Sequence, residues 1–96
     1  MSNYSIVIPS YKRAELIKTH TLKVLENYKI SSKKIFIFVA NYTEYKEYYK
    51  SLDKKFHTNI IIGKKGLKNQ RNFISSYFPI NSKIVQFDDD IKSINE

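Results

Sequence analysis

Apolar residues fall in four short unbroken runs: "SIVIP" from Ser5, "KIFIFVAN" from Lys34, "NIIIG" from Asn59 and "KIVQFD" from Lys83. A run that is apolar without alternation, β-branched and only a few residues long predicts a strand covered on both faces, as in a parallel sheet. The stretches between them change period. In "RAELIKTHTLKVLENY", Ile17, Thr21, Val24, Leu25 and Tyr28 fall on one helical stripe while Lys18, Lys23 and Glu26 fall off it. "TEYKEYYKSLDKKF" repeats the spacing with Tyr45, Tyr48, Tyr49, Leu52 and Phe56, and Thr43 is placed to cap it ahead of Glu44 and Glu47. In "GLKNQRNFISSYFP", Leu67, Ile74, Tyr77 and Phe78 would face inward, and Pro79 stops the helix. The predicted order is β-α-β-α-β-α-β. Crossovers of that kind build an α/β fold in three layers, with helices on both faces of a mostly parallel sheet.

Length makes this a single domain, residues 1–96. No apolar run is long enough to span a membrane and no leader pattern opens the chain, so the expectation is a cytoplasmic protein. The absence of cysteine excludes a disulfide framework and thiolate metal sites.

The net charge of +8 is unevenly distributed. Residues 1–87 carry 16 Lys/Arg against 5 Asp/Glu, a net of +11, whereas residues 88–96 carry 1 against 4, a net of −3. A basic surface points to a polyanion, nucleic acid first. Against that, 15 of the cations are Lys and only 2 are Arg, and a lysine-rich face is ordinarily just solvated.

Ligands of open α/β sheets sit beyond the carboxyl ends of the strands. Those ends are Pro9-Ser10-Tyr11-Lys12-Arg13, Asn41-Tyr42, Gly63-Lys64-Lys65-Gly66 and Asp88-Asp89-Asp90. Side chains alternate along an extended segment, so Asp88 and Asp90 would point one way and Asp89 the other, a two-carboxylate jaw for Mg²⁺ or Mn²⁺. A solvated acidic turn is the competing reading of the same triplet. The cationic Gly63–Gly66 loop leads into a helix whose free amides and positive dipole end suit phosphate, and Lys68, Arg71 and Ser75 share a helix face next to Asn72. The spacing is not that of a Walker A loop. His20 and His57 have no partner at ligand spacing.

Together "IVIPSYKR", "KIFIFVANYTEYKEYY", "GLKNQRNFI" and "IVQFDDDIKSI" resemble the N-terminal, nucleotide-sugar-binding half of a GT-A glycosyltransferase. The resemblance is to the TET-associated glycosyltransferases of phages and large viruses and, more generally, to family-2-like enzymes. The resemblance implies a Rossmann-like donor site in which Pro9, Ser10, Tyr11, Arg13 and Asn41 border the nucleotide and Lys68, Arg71 and Asn72 lie near ribose or diphosphate. It implies that Asp88 and Asp90 hold Mn²⁺ or Mg²⁺ against the diphosphate, with Asp88 and Asp89 also at the nucleotide. Relatives place an acidic residue after the second strand to read the base, where this chain has Asn41. They carry the acceptor site and catalytic base beyond the aspartate motif, so the expectation is a donor-binding half, incomplete for catalysis alone, that calls for a completing chain or self-association. The acceptor would be a modified DNA base or a glycan. Two rivals stand beside this reading: a basic nucleic-acid-binding α/β module without catalysis, and another Mg²⁺-dependent α/β enzyme acting on phosphates. The last is disfavoured because the first strand ends in Pro-Ser-Tyr-Lys rather than in a catalytic acid.

Overall fold

A computed structural model describes residues 4–89. The fold is α/β, and its four strands are all parallel. In chain order the elements are β1 (Ser5–Pro9), α1 (Ala14–Thr19), α2 (Thr21–Asn27), β2 (Ile35–Val39), α3 (Tyr42–Ser51), β3 (Ile60–Ile62), α4 (Leu67–Tyr77) and β4 (Ile84–Gln86). Short 3₁₀ turns, Ser32–Lys34 and Lys54–Asn59, precede β2 and β3.

The sheet runs β3-β2-β1-β4. Its register pairs Ile6 with Ile35 and Ile8 with Ile37, and sets Val7 opposite Gln86. Alternation then sorts the apolar runs into two cores. Ile6, Ile8, Ile35, Ile37, Val39 and Ile60 point to one face, where Ile17 of α1, Leu22 and Leu25 of α2, and Tyr48 of α3 close over them. Val7 and Phe38 point to the other face, packed by Ile74 of α4 with Phe36, Phe73 and Phe78 around them. Both faces are thus covered along β1 and β2, which explains why these strands are apolar at consecutive positions. The edges are three residues each, and there Ile62 and Val85 remain 43% and 40% exposed.

All three expected helices differ in detail. The first is not continuous: it breaks at His20 (φ −111°, ψ −87°) into α1 and α2. Thr19 Oγ1 donates back to the Glu15 carbonyl at 3.0 Å, a contact that loosens a helix, while buried Thr21 Oγ1 donates to the Asp88 carbonyl at 2.6 Å. The bend is what lets Thr21 reach the segment after β4. Tyr28 lies past the end of α2 and is 56% exposed rather than on the core stripe.

The second helix stops at Ser51, and the 3₁₀ turn capped by Asp53 carries Phe56 into the core separately. Its cap is Asn41, whose Oδ1 accepts from the Glu44 amide at 2.9 Å, and not Thr43. Of its tyrosines only Tyr48 is fully buried. In α4, Leu67 and Tyr77 are 60% and 46% exposed, and the inward positions are Gln70 and Ile74. Helical periodicity located the face but not its centre.

Among the described residues no helix is long and apolar enough to cross a membrane.

Candidate functional site

The chain leaves β1 toward β2 and β3 on one side, then returns through α4 to lay β4 on the other side of β1. The connections following β1 and the one arriving at β4 therefore part at the carboxyl ends of these two strands, the switch point at which open α/β sheets form a crevice. A cleft of about 360 Å³ lies there. Pro9, Ser10, Tyr11 and Arg13 form one wall, Lys64, Lys65, Gly66 and Leu67 form another, and Ala40, Gln70 and Asp89 complete it.

The wall after β1 is fixed by a buried chain of hydrogen bonds. Ser10 Oγ donates to Asp89 Oδ2 at 2.7 Å and lies 2.6 Å from the Tyr48 hydroxyl. Ser10 has a single proton and gives it to Asp89, so the Tyr48 hydroxyl donates to Ser10. Tyr48 in turn accepts from the Arg13 amide at 3.0 Å, and the Arg13 guanidinium reaches Asp89 Oδ1 at 3.2 Å. Both carboxylate oxygens of Asp89 are thereby engaged. Burial pushes the Tyr48 hydroxyl above its ordinary value; the bond it accepts from the Arg13 amide opposes this, and the charges of Glu44 and Asp89 add to it.

Lys12 completes the loop in the left-handed region, at φ 55°, which costs a non-glycine residue about 1 kcal/mol. Its amide donates to the buried Glu44 carboxylate at 2.6 Å, a charge-assisted bond that offsets the strain. Tyr11 stands 39% exposed at the rim with the ammonium groups of Lys12 and Lys65 at 5.3 and 5.7 Å from its ring centre.

The opposite wall hangs on Gln70. Its side chain is buried, accepts from the Lys64 amide at 2.9 Å and donates to the Val39 carbonyl at 3.2 Å, tying the loop after β3 to the end of β2. Gly66 has φ 92°, where a side chain is strained, and α4 starts after it without a side-chain cap. Gly66 and Leu67 line the cleft, so the positive dipole end of the helix borders it. Gly63 is required for a different reason: a Cβ there would lie 2.1 Å from Gln70 Oε1 and 3.0 Å from the Phe73 ring. Gly63→Ala is expected to expel the Gln70 amide and to cost about 1–3 kcal/mol, seen as a lower Tm in calorimetry.

The sequence expectations divide accordingly. Pro9, Ser10, Tyr11, Arg13 and Asp89 come together on the cleft. Asn41 is spent on capping α3, and Lys68, Arg71 and Asn72 are exposed on α4 and are not among the cleft walls. Asn72 lies instead beside Lys64, Asn69, Phe73 and Ser76 on a separate shallow surface. Lys64, Lys65 and Gly66 of the cationic loop after β3 each line the cleft. Gln70, a polar residue at an inward helix position, is the sequence signal that went unused.

β4 ends at Gln86, so strict alternation does not extend through the aspartates. Asp88 is exposed and Asp89 buried. Asp90, the other expected metal ligand, lies outside the described residues. Among the described residues no three His, Cys, Asp or Glu side chains form a group that could hold a metal. The exposed carboxylate of Asp88 is a hard donor of the kind Mg²⁺ or Mn²⁺ takes, whereas each oxygen of Asp89 already accepts a hydrogen bond, from Ser10 and from Arg13.

Comparison with protein-family models, with curated proteins and with solved structures returns no match.

Proposed function

We propose that the cleft binds a nucleoside-diphospho-sugar, and that the chain is a Rossmann-like donor-binding unit of the GT-A type. One observation carries the reading: Ser10 after β1 and Asp89 after β4 are hydrogen-bonded across the switch point, and the cationic Lys64–Gly66 lip and the start of α4 stand across the same cleft. A diphosphate needs positive charge and amide donors that are already oriented. Lys64, Lys65 and the partly exposed guanidinium of Arg13 supply the charge, and the uncapped α4 supplies the amides. Tyr11 at the rim offers a ring face to a base.

A divalent ion would be held by Asp88 together with Asp90. Mn²⁺ or Mg²⁺ there would neutralise charge on the leaving nucleoside diphosphate. Asp89 is the one carboxylate among the described cleft walls, and its oxygens are committed; the reading therefore extends to donor binding and stops short of the transfer step.

Titration calorimetry with UDP-, GDP- and TDP-sugars, with and without Mn²⁺, tests it. Binding of at least one donor is expected, weakened by Lys64→Ala combined with Lys65→Ala. If no nucleotide binds in either condition, the cleft does not have this function.

A further inference from the structure

α3 carries a second feature that the cleft does not use. Tyr42, Tyr45 and Tyr49 occupy i, i+3 and i+7, one shoulder of the helix, and their rings form a continuous ridge. Tyr42 and Tyr45 stack with centroids 6.1 Å apart and planes 12° from parallel, and Tyr45 and Tyr49 follow at 5.8 Å. His57 extends the series, stacked on Tyr49 at 3.7 Å. Packing accounts for Tyr45, which leans on the core, but Tyr42 and Tyr49 keep 62% and 46% of their surface in water.

The charges beside the ridge are of one sign. Lys46 and Lys50 are exposed on the outer flank, and the Lys46 ammonium lies 5.2 Å from the centre of the Tyr42 ring. Glu44 is turned inward onto the Lys12 amide, and Glu47 falls on the far flank of the helix. Asp53 sits in a separate groove with Lys18, Lys23 and Lys55.

From this we infer that the α3 shoulder is a stacking platform for single-stranded nucleic acid. His57 covers one face of Tyr49, so the exposed surface of Tyr42 and the open side of Tyr49 are what unpaired bases would meet, regardless of sequence, while the flanking ammonium groups follow the phosphates. A duplex keeps its base faces occupied and cannot use the ridge in this way. The inference is independent of nucleotide-sugar binding at the cleft, which involves other residues.

Fluorescence anisotropy of the full chain with labelled oligothymidylate and oligouridylate, against a duplex of equal length, tests it. Single strands should bind at low salt in preference to the duplex. Tyr42→Ala and Tyr49→Ala should each weaken binding by roughly 5-fold or more, while the Phe variants retain it. Lys46→Ala and Lys50→Ala should each reduce the slope of log affinity against log salt by roughly 0.7. The inference is overturned if no single strand binds at low salt. It is equally overturned if the duplex binds as well as the single strand, or if the double tyrosine-to-alanine variant, shown folded by circular dichroism, binds unchanged.

Discussion

Tyr48→Ala should remove about 3–5 kcal/mol of stability, against a total of roughly 5–15 kcal/mol for a domain of this length. Two losses combine. The ring is fully buried where α3 meets β1 and β2, and its removal leaves a cavity that the neighbouring isoleucines fill only in part. The hydroxyl is the donor to Ser10 and the acceptor for the Arg13 amide, so its removal also strands two polar groups of the cleft wall. Tyr48→Phe separates the two, keeping the ring and losing the hydroxyl, at about 1–3 kcal/mol. Thermal unfolding of both variants checks the order, with Tm falling by roughly 4–8 °C for each kcal/mol. Equal losses in the two variants would show that the hydrogen bonds, rather than the packing, hold α3 to the sheet.

Alkaline pH provides a second measure of the same group. Burial raises the Tyr48 hydroxyl above its ordinary 10.0, so the folded chain retains a proton that the unfolded chain releases. The contribution is complete below that ordinary value and is lost as pH rises through the folded one. Tyr48→Phe, which cannot ionise, should therefore lose less stability than the unsubstituted protein between about pH 8 and pH 11.

The parts of the fold legible in the sequence are those fixed by local pattern. β1 and β2 are apolar at consecutive positions because both faces are covered, and this showed directly in "SIVIP" and "KIFIFV". What escaped the pattern depends on contacts between distant residues. The break at His20 goes with the bond from Thr21 to the Asp88 carbonyl, 67 positions away, a contact that local periodicity does not announce. Asn41 and Thr43 are both competent caps; the choice falls to Asn41, which leaves Glu44 in the first turn to hold Lys12. The tyrosines of α3 share a period with its core positions, so the sequence could not tell Tyr48 from the exposed Tyr49.

The site was legible to the same degree. Strand ends marked the rim, and four of the cleft residues after β1, with Asp89, follow from that rule alone. Arg71 and Lys68 were drawn toward it by charge, yet a helix presents its polar face to water unless a buried partner is waiting, and here the inward polar position belongs to Gln70. The aspartates divide by burial, with Asp89 inside and engaged and Asp88 outside, a distinction that a run of three identical residues cannot express.

That division gives the sharpest expectation for the aspartate motif. Asp88 is exposed, so Asp88→Ala should leave Tm unchanged; if the cleft binds a nucleotide-sugar with Mn²⁺ as proposed, the variant should also lose the affinity that the metal adds, roughly tenfold or more. Asp89→Ala should behave in the opposite way. Without its carboxylate, Ser10 loses its acceptor and Arg13 its counter-charge, so Tm should fall by the equivalent of about 1–3 kcal/mol. Donor affinity should weaken by a similar factor with and without metal, because the wall itself has moved. Parallel melting curves and calorimetric titrations in Mn²⁺ and in EDTA distinguish the two patterns. Were Asp88→Ala to bind donor in Mn²⁺ as tightly as the unsubstituted chain, the metal would have to be held without it, and the triplet would be left with the structural role of Asp89, which closes the β1–β4 crevice from below.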